Sequence, residues 1–264
     1  MSILHVEYMS ACLQREVSFK AILPLEKPGA NGFAKRNLKT IYLLHGYSGH
    51  CTDWLSGSGI HELSLIHDMA VILPSGENSF YVDNAENETW FGQFIGKEIV
   101  EFTRALFPLS EKREDTLIGG FSMGGFGALR NGLKYPEVFG AVIALSSALI
   151  TDKIGDRETD FSNMPASRTY YEKTFGSLDR LIGSDNDPKA LAKKAAETKK
   201  IPDLYLACGT EDFLLNENRD FRDYLAGLGL RFTYVEGPGK HDWKFWNPHI
   251  ESALDWYGKI RAAG

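Results

Sequence analysis

A chain of 264 residues with 43% hydrophobic and 24% charged residues has the composition of a soluble globular protein and is long enough to bury a large core within one α/β domain. That composition excludes disorder and collagen-like repeats. Twenty-nine Lys and Arg against 35 Asp and Glu leave a net charge of −6 and no dense basic stripe to neutralise phosphates, so nucleic acid is not an expected partner.

The chain opens with two alternating segments, residues 3–9 and 16–23, which predict an antiparallel hairpin at a sheet edge. Residues 26–37, rich in Gly, Asn and Lys, read as an exposed turn. Short apolar runs follow at 41–44, 70–73, 116–118, 141–145, 204–207 and 232–235, with Gly, Ser or Pro close behind them. Both faces of these runs are apolar, as in parallel strands covered on two sides. Between them, 95–107, 125–135 and 216–228 have helical period, and 250–260 closes the chain as a helix. This alternation predicts an α/β fold, a mostly parallel central sheet flanked by helices. The stretch 149–200 breaks the rhythm: it is polar, carries Asp185-Asn186-Asp187-Pro188 and ends in a Lys-rich helical run. It reads as a small cap inserted into a single domain spanning residues 1–264.

Cys12, Cys51 and Cys208 have no C-x-x-C spacing, so neither a disulfide framework nor a zinc site is expected. The first twenty residues lack the pattern of a secretion signal, and no apolar run reaches the roughly 18 residues of a membrane span. A soluble, cytoplasmic chain without a membrane partner is the expectation.

The chemistry centres on Gly120-Phe121-Ser122-Met123-Gly124, a G-x-S-x-G between an apolar strand and a helix-forming run. Bulky residues two before and two after the serine would collide in so sharp a turn, and glycines stand at both positions. A serine hydroxyl is a weak nucleophile that needs a base, and the base needs an orienting carboxylate. In strand-turn-helix elbows of this kind the chain order is serine, acid, histidine. Of seven histidines only His241 and His249 follow Ser122. His241 lies in a Gly-rich loop beyond the last strand and is the expected base; His249, at the start of the last helix, reads as a surface or capping residue. Asp212, in the loop after residues 204–207, is the expected acid, with Glu211 as the alternative. Asp212 also stands before a helical run, where an aspartate caps the N-terminus.

Ester hydrolysis needs backbone donors for the developing oxyanion, worth about 3 kcal/mol each. The N–H of Met123 is one expected donor. The other comes from His45-Gly46-Tyr47-Ser48-Gly49, where Tyr47 is preferred to Ser48. His45 lacks a second ligand at metal spacing and reads as a structural brace of that loop; no metal or cofactor is expected. Trp54, Trp90, Phe91, Trp243 and Trp246 offer aromatic surface near the loops. Of these, Trp90 and Trp243 are the expected substrate contacts.

Leu43-Leu44-His45-Gly46, the run from Gly120 to Leu129, Tyr135-Pro136, Phe139, the Cys208–Asp212 loop and His241-Asp242-Trp243 together resemble the tributyrin esterase branch of the esterase D-like α/β-hydrolases. The similarity runs from about residue 2 to 260. It implies the α/β-hydrolase fold and a metal-free serine esterase, with short-chain carboxylesterases, acetyl and feruloyl esterases and S-formylglutathione hydrolases among its relatives. The expected activity is hydrolysis of short-chain acyl or aromatic esters, on a small molecule or an oligosaccharide, through an acyl-serine. An S-formylglutathione thioesterase is the alternative, and a silent hydrolase-fold binding protein the reading from another class. Phe161, Met164, Tyr170, Tyr171 and Phe175 are expected to roof a shallow pocket. A homo-oligomer is left open by the sequence.

Overall fold

The computed structural model describes residues 2–25, 37–155 and 167–262. The turn expected at 26–37 lies outside the described residues except for Asn37. In chain order, β1 (Ser2–Ser10) and β2 (Arg15–Leu23) form the expected hairpin, paired from Ser2 with Leu23 to Ser10 with Arg15. β3 (Lys39–Leu44), α1 (Asp53–Gly57), α2 (Ile60–Ile66) and β4 (Met69–Pro74) follow. A two-stranded ribbon, β5 (Asp83–Asn84) and β6 (Thr89–Trp90), leads through α3 (Phe91–Gln93) and a π turn at Phe94–Glu98 into α4 (Ile99–Leu106). Then come β7 (Thr116–Phe121), α5 (Met123–Lys134), β8 (Ala141–Leu145), α6 (Arg168–Phe175) and α7 (Pro188–Thr198). β9 (Asp203–Gly209), α8 (Leu215–Gly227), β10 (Thr233–Gly237) and α9 (Trp243–Ala262) complete the chain.

Eight of these strands make one sheet in the order β1-β2-β4-β3-β7-β8-β9-β10. β2 runs antiparallel to β4, and from β4 to β10 every pairing is parallel. Side chains alternate across a strand, and the two sets enter different cores. Ile41, Leu43, Leu117, Ile143 and Ala207 pack with Trp54 of α1, Leu63 of α2 and Ile250 of α9. Tyr42, Leu44, Ile118, Val142 and Leu206 pack with Ile99 of α4, Leu129 of α5, Leu191 of α7 and Phe221 of α8. Burial on both faces is why the strands read as unbroken apolar runs.

Two boundaries differ from the sequence reading. α9 begins at Trp243 and passes through Pro248, because Phe245 and Trp246 bury their side chains in the same core as Ile250 and outweigh the missing proline N–H. α7 buries Leu191, Ala192 and Ala195 in the core shared with α5, which places it in the helix layer; Lys193 and Lys194 face solvent. Asp187 starts it by accepting the Lys189 N–H at 2.9 Å, with Pro188 in the first turn. No helix among the described residues is long and apolar enough to cross a membrane.

From β3 the chain moves to β4 on one side and later to β7 on the other. The crevice outside the carboxyl ends of β3 and β7 is therefore the switch point where open α/β sheets gather ligands.

Candidate active site

Ser122 forms the corner between β7 and α5 with φ 56° and ψ −121°, a conformation that costs a non-glycine residue about 1–3 kcal/mol. Three backbone bonds hold it there. Its N–H donates to Leu145 O at 2.9 Å, and its carbonyl accepts the Phe126 N–H at 3.1 Å and the Ala148 N–H at 3.0 Å. A Cβ on Gly120 would lie 2.4 Å from Gly124 O, and one on Gly124 would lie 2.3 Å from Leu44 O. The motif's glycines are thus required by close backbone approach between the elbow and the end of β3.

β9 and β10 end side by side, Gly209 paired with Gly237. Beyond them the Thr210 N–H donates to Gly237 O at 2.9 Å and the Glu211 N–H to Gly239 O at 3.0 Å. These bonds tie the two loops together and bring Asp212 against His241. Asp212 Oδ2 and Oδ1 lie 2.9 and 3.1 Å from His241 Nδ1. A carboxylate only accepts, so Nδ1 carries a proton toward Asp212, and Nε2 is the ring nitrogen left outside this bond. Asp212 Oδ1 also accepts the Leu214 N–H at 2.9 Å, an Asx-type turn ahead of α8. The N-cap position of that helix is Leu214 and has no side-chain cap, so the capping expected of Asp212 is replaced by this turn. Burial raises the Asp212 pKa, but the bonds from His241 and the Leu214 N–H outweigh it and hold the carboxyl below its ordinary value. Glu211 is exposed. His249 lies within α9, donating from Nδ1 to Phe245 O at 2.7 Å and stacked on the Phe245 ring. Cys208 lies beside this pair; burial, then the Asp212 charge, push its thiol up to about 12, so it stays protonated.

On the opposite side of the crevice, the loop after β3 carries Tyr47. The Ser48 N–H donates to Asn78 Oδ1 at 2.7 Å, which occupies that donor. Met123 opens α5, where the first N–H groups of a helix lack intrahelical partners and the dipole favours negative charge. His45 is buried beneath this loop, its Nδ1 donating to Gly46 O at 2.8 Å and its Nε2 accepting the Gly76 N–H at 2.9 Å. Both ring nitrogens are engaged by backbone, as a brace requires. Sequence reasoning missed the segment that supports it from behind. Phe80 and Tyr81 both have positive φ, 50° and 57°, and Tyr81 donates its hydroxyl to His45 O at 2.9 Å while its own carbonyl accepts Asn131 Nδ2 at 3.0 Å. No motif marks these residues.

The aromatics divide by direction. Trp54, Phe91 and Trp246 are buried. Trp243 sets its ring edge to face against Trp54, Phe121 and Trp246, 4.8–5.3 Å between centroids, in a cluster beneath the elbow. Trp90 pairs with Asp83 on the ribbon, whose carboxylate reaches Arg130, two turns along α5 from Ser122. Of the expected roof, Tyr171 and Phe175 pack on Phe80, and Phe161 and Met164 lie outside the described residues. Tyr170 meets the Tyr47 ring at 5.5 Å and donates to Asn78 O at 2.6 Å, linking α6 to the loop after β3.

A family model described as "Putative esterase" matches residues 10–257. An acetyl esterase of Caldicellulosiruptor saccharolyticus is 51% identical over 265 residues, 98% of this chain and 99% of that protein. The substrate-bound structure of the Staphylococcus aureus fluorophosphonate-binding serine hydrolase F matches with TM-score 0.86 at 32% identity, covering 97% of this chain and 98% of that one. S-formylglutathione hydrolase from the same organism, as apoenzyme, matches with TM-score 0.83 at 32% identity over the same shares.

Proposed function

The chain belongs to this esterase family and is a serine carboxylesterase; from that premise we propose that Ser122 is its nucleophile, His241 its proton carrier and Asp212 the carboxylate that orients His241. The observation that carries the assignment is the bond between His241 and a shielded Asp212 at the strand ends that also hold the Ser122 elbow.

The Ser122 hydroxyl adds to the ester carbonyl as His241 Nε2 takes its proton. The carbonyl oxygen becomes an oxyanion facing the N–H groups of Met123 and Tyr47, each contributing about 3 kcal/mol. When the tetrahedral intermediate collapses, the carbon–oxygen bond to the alcohol breaks, and Nε2 returns the proton to the departing oxygen. Water, deprotonated by the same nitrogen, then adds to the acyl-serine, and the acid leaves as Ser122 regains its proton.

The acyl group is short or flat, from acetyl and butyryl to a feruloyl-type ring; among the described residues of the expected roof, Tyr171 and Phe175 are spent on packing and Tyr170 stands beside Tyr47. The substrate is a small-molecule or oligosaccharide ester, and neither nucleic acid nor membrane takes part. Three free cysteines suit a reducing, cytoplasmic setting. p-Nitrophenyl esters of increasing chain length, methyl ferulate, acetylated xylan oligosaccharides and S-formylglutathione, assayed together, test the reading. The maximum is expected at acetyl to butyryl; a maximum at octanoyl or beyond would refute the shallow pocket. The likeness to S-formylglutathione hydrolase supports a second reading, which a kcat/KM for the thioester about tenfold above every oxygen ester would establish in place of the first.

A further inference from the structure

Phe213 is 74% exposed, the most exposed of the large apolar side chains among the described residues. Its neighbours in sequence, Asp212 and Leu214, are each only 6% exposed, and the Leu214 N–H is bonded to Asp212 Oδ1. The backbone on both sides is therefore pinned, and the ring is turned outward by the turn that places Asp212, not by burial of its own. Its ring leans on His241, with centroids 4.5 Å apart and planes at 46°. The same imidazole meets the buried Trp246 edge to face at 5.0 Å, while its Nδ1 faces Asp212. His241 thus contacts both a buried indole and a solvent-exposed phenyl ring.

In serine ester hydrolysis the histidine passes its proton to the departing alcohol oxygen. The alcohol half of the ester therefore departs beside the imidazole on which Phe213 leans, whereas the acyl half stays on the serine. We infer that Phe213 sets alcohol-side selectivity, giving flat or apolar alcohol groups a ring on which to stack. This rests on the assignment of His241 as the proton carrier.

The test holds the acyl group constant and varies the alcohol. Benzyl acetate and ethyl acetate have leaving alcohols of similar basicity but differ in stacking surface. In Phe213→Ala and Phe213→Leu the benzyl-over-ethyl ratio of kcat/KM is expected to fall about fivefold to tenfold, with recovery in Phe213→Tyr and an unaltered shape of the pH profile. A parallel fall for both esters with a displaced pH profile would make Phe213 a support of His241 and overturn the inference. So would an unchanged ratio, or a dimer that the substitution dissociates in sedimentation. Failure of the underlying assignment shows separately, as ester hydrolysis retained by His241→Asn.

Discussion

His241 Nδ1 lies 2.9 Å from a carboxylate oxygen of Asp212, and the Asp212 side chain has no solvent exposure. An amide at position 212 would offer a donor to Nδ1 and favour the wrong tautomer. Asp212→Asn is therefore expected to lower kcat by about ten-thousandfold. Glu211→Gln, at an exposed neighbour, should change it less than about twofold. Steady-state kinetics of the two variants decide between the acids, and a reversal of the effects would transfer the role to Glu211.

Ser122→Ala keeps the Cβ and hence the strained corner, so its melting temperature should stay within about 2 °C of the parent. Its ester hydrolysis should fall at least about a thousandfold. An organophosphonate should label the parent once per chain, at Ser122 by peptide mapping. EDTA should leave the rate unchanged; loss of activity on chelation would contradict the metal-free mechanism. Residual activity of a few per cent in the variant would displace Ser122 as nucleophile.

Burial holds His45 below the ordinary histidine pKa, and its bond to the Gly46 carbonyl offsets only part of this. Between the folded and the unfolded pKa the unfolded chain binds more protons. Stability contributed by neutral His45 is thus complete above the ordinary value of about 6.5 and declines as pH falls from there toward the folded value. Protonation also removes the Nε2 lone pair that receives the Gly76 N–H. Urea unfolding at about pH 7.5 and about pH 5.5 should show the parent losing stability in acid. His45→Gln should flatten that slope, and a slope indifferent to the substitution would refute the account.

Arg130 is buried in α5 and donates to Asp185 O at 3.0 Å, Asn131 Oδ1 at 2.9 Å, Asn186 Oδ1 at 3.1 Å and Asp83 Oδ2 at 3.3 Å. Asp83 is its charged partner and anchors the ribbon. Asp83→Ala leaves the guanidinium without that charge and should cost about 3 kcal/mol. Denaturant titration measures it directly, and a loss below about 1 kcal/mol would mean that the three neutral acceptors suffice.

The sequence by itself determined the sheet, the order of its parallel strands and helices along the chain, and the serine elbow. These are properties of short segments: two-faced burial writes apolar runs, and within the elbow the carbonyl of Gly124 permits no Cβ at Gly120. The chain order of serine, acid and histidine narrowed the remaining roles to a few residues. Tertiary structure alone decided which loops meet. Asp212 and His241 are partners because β9 and β10 lie side by side and the Glu211 N–H bonds Gly239 O, contacts with no counterpart in residue spacing. It also decided where rings point. Trp243, two residues from His241, packs into the cluster with Trp54 and Phe121, while Phe213, one residue from Asp212, stays in solvent. Composition cannot tell these apart, because whether an aromatic side chain is buried depends on which elements pack against it, and only the folded chain brings those elements together.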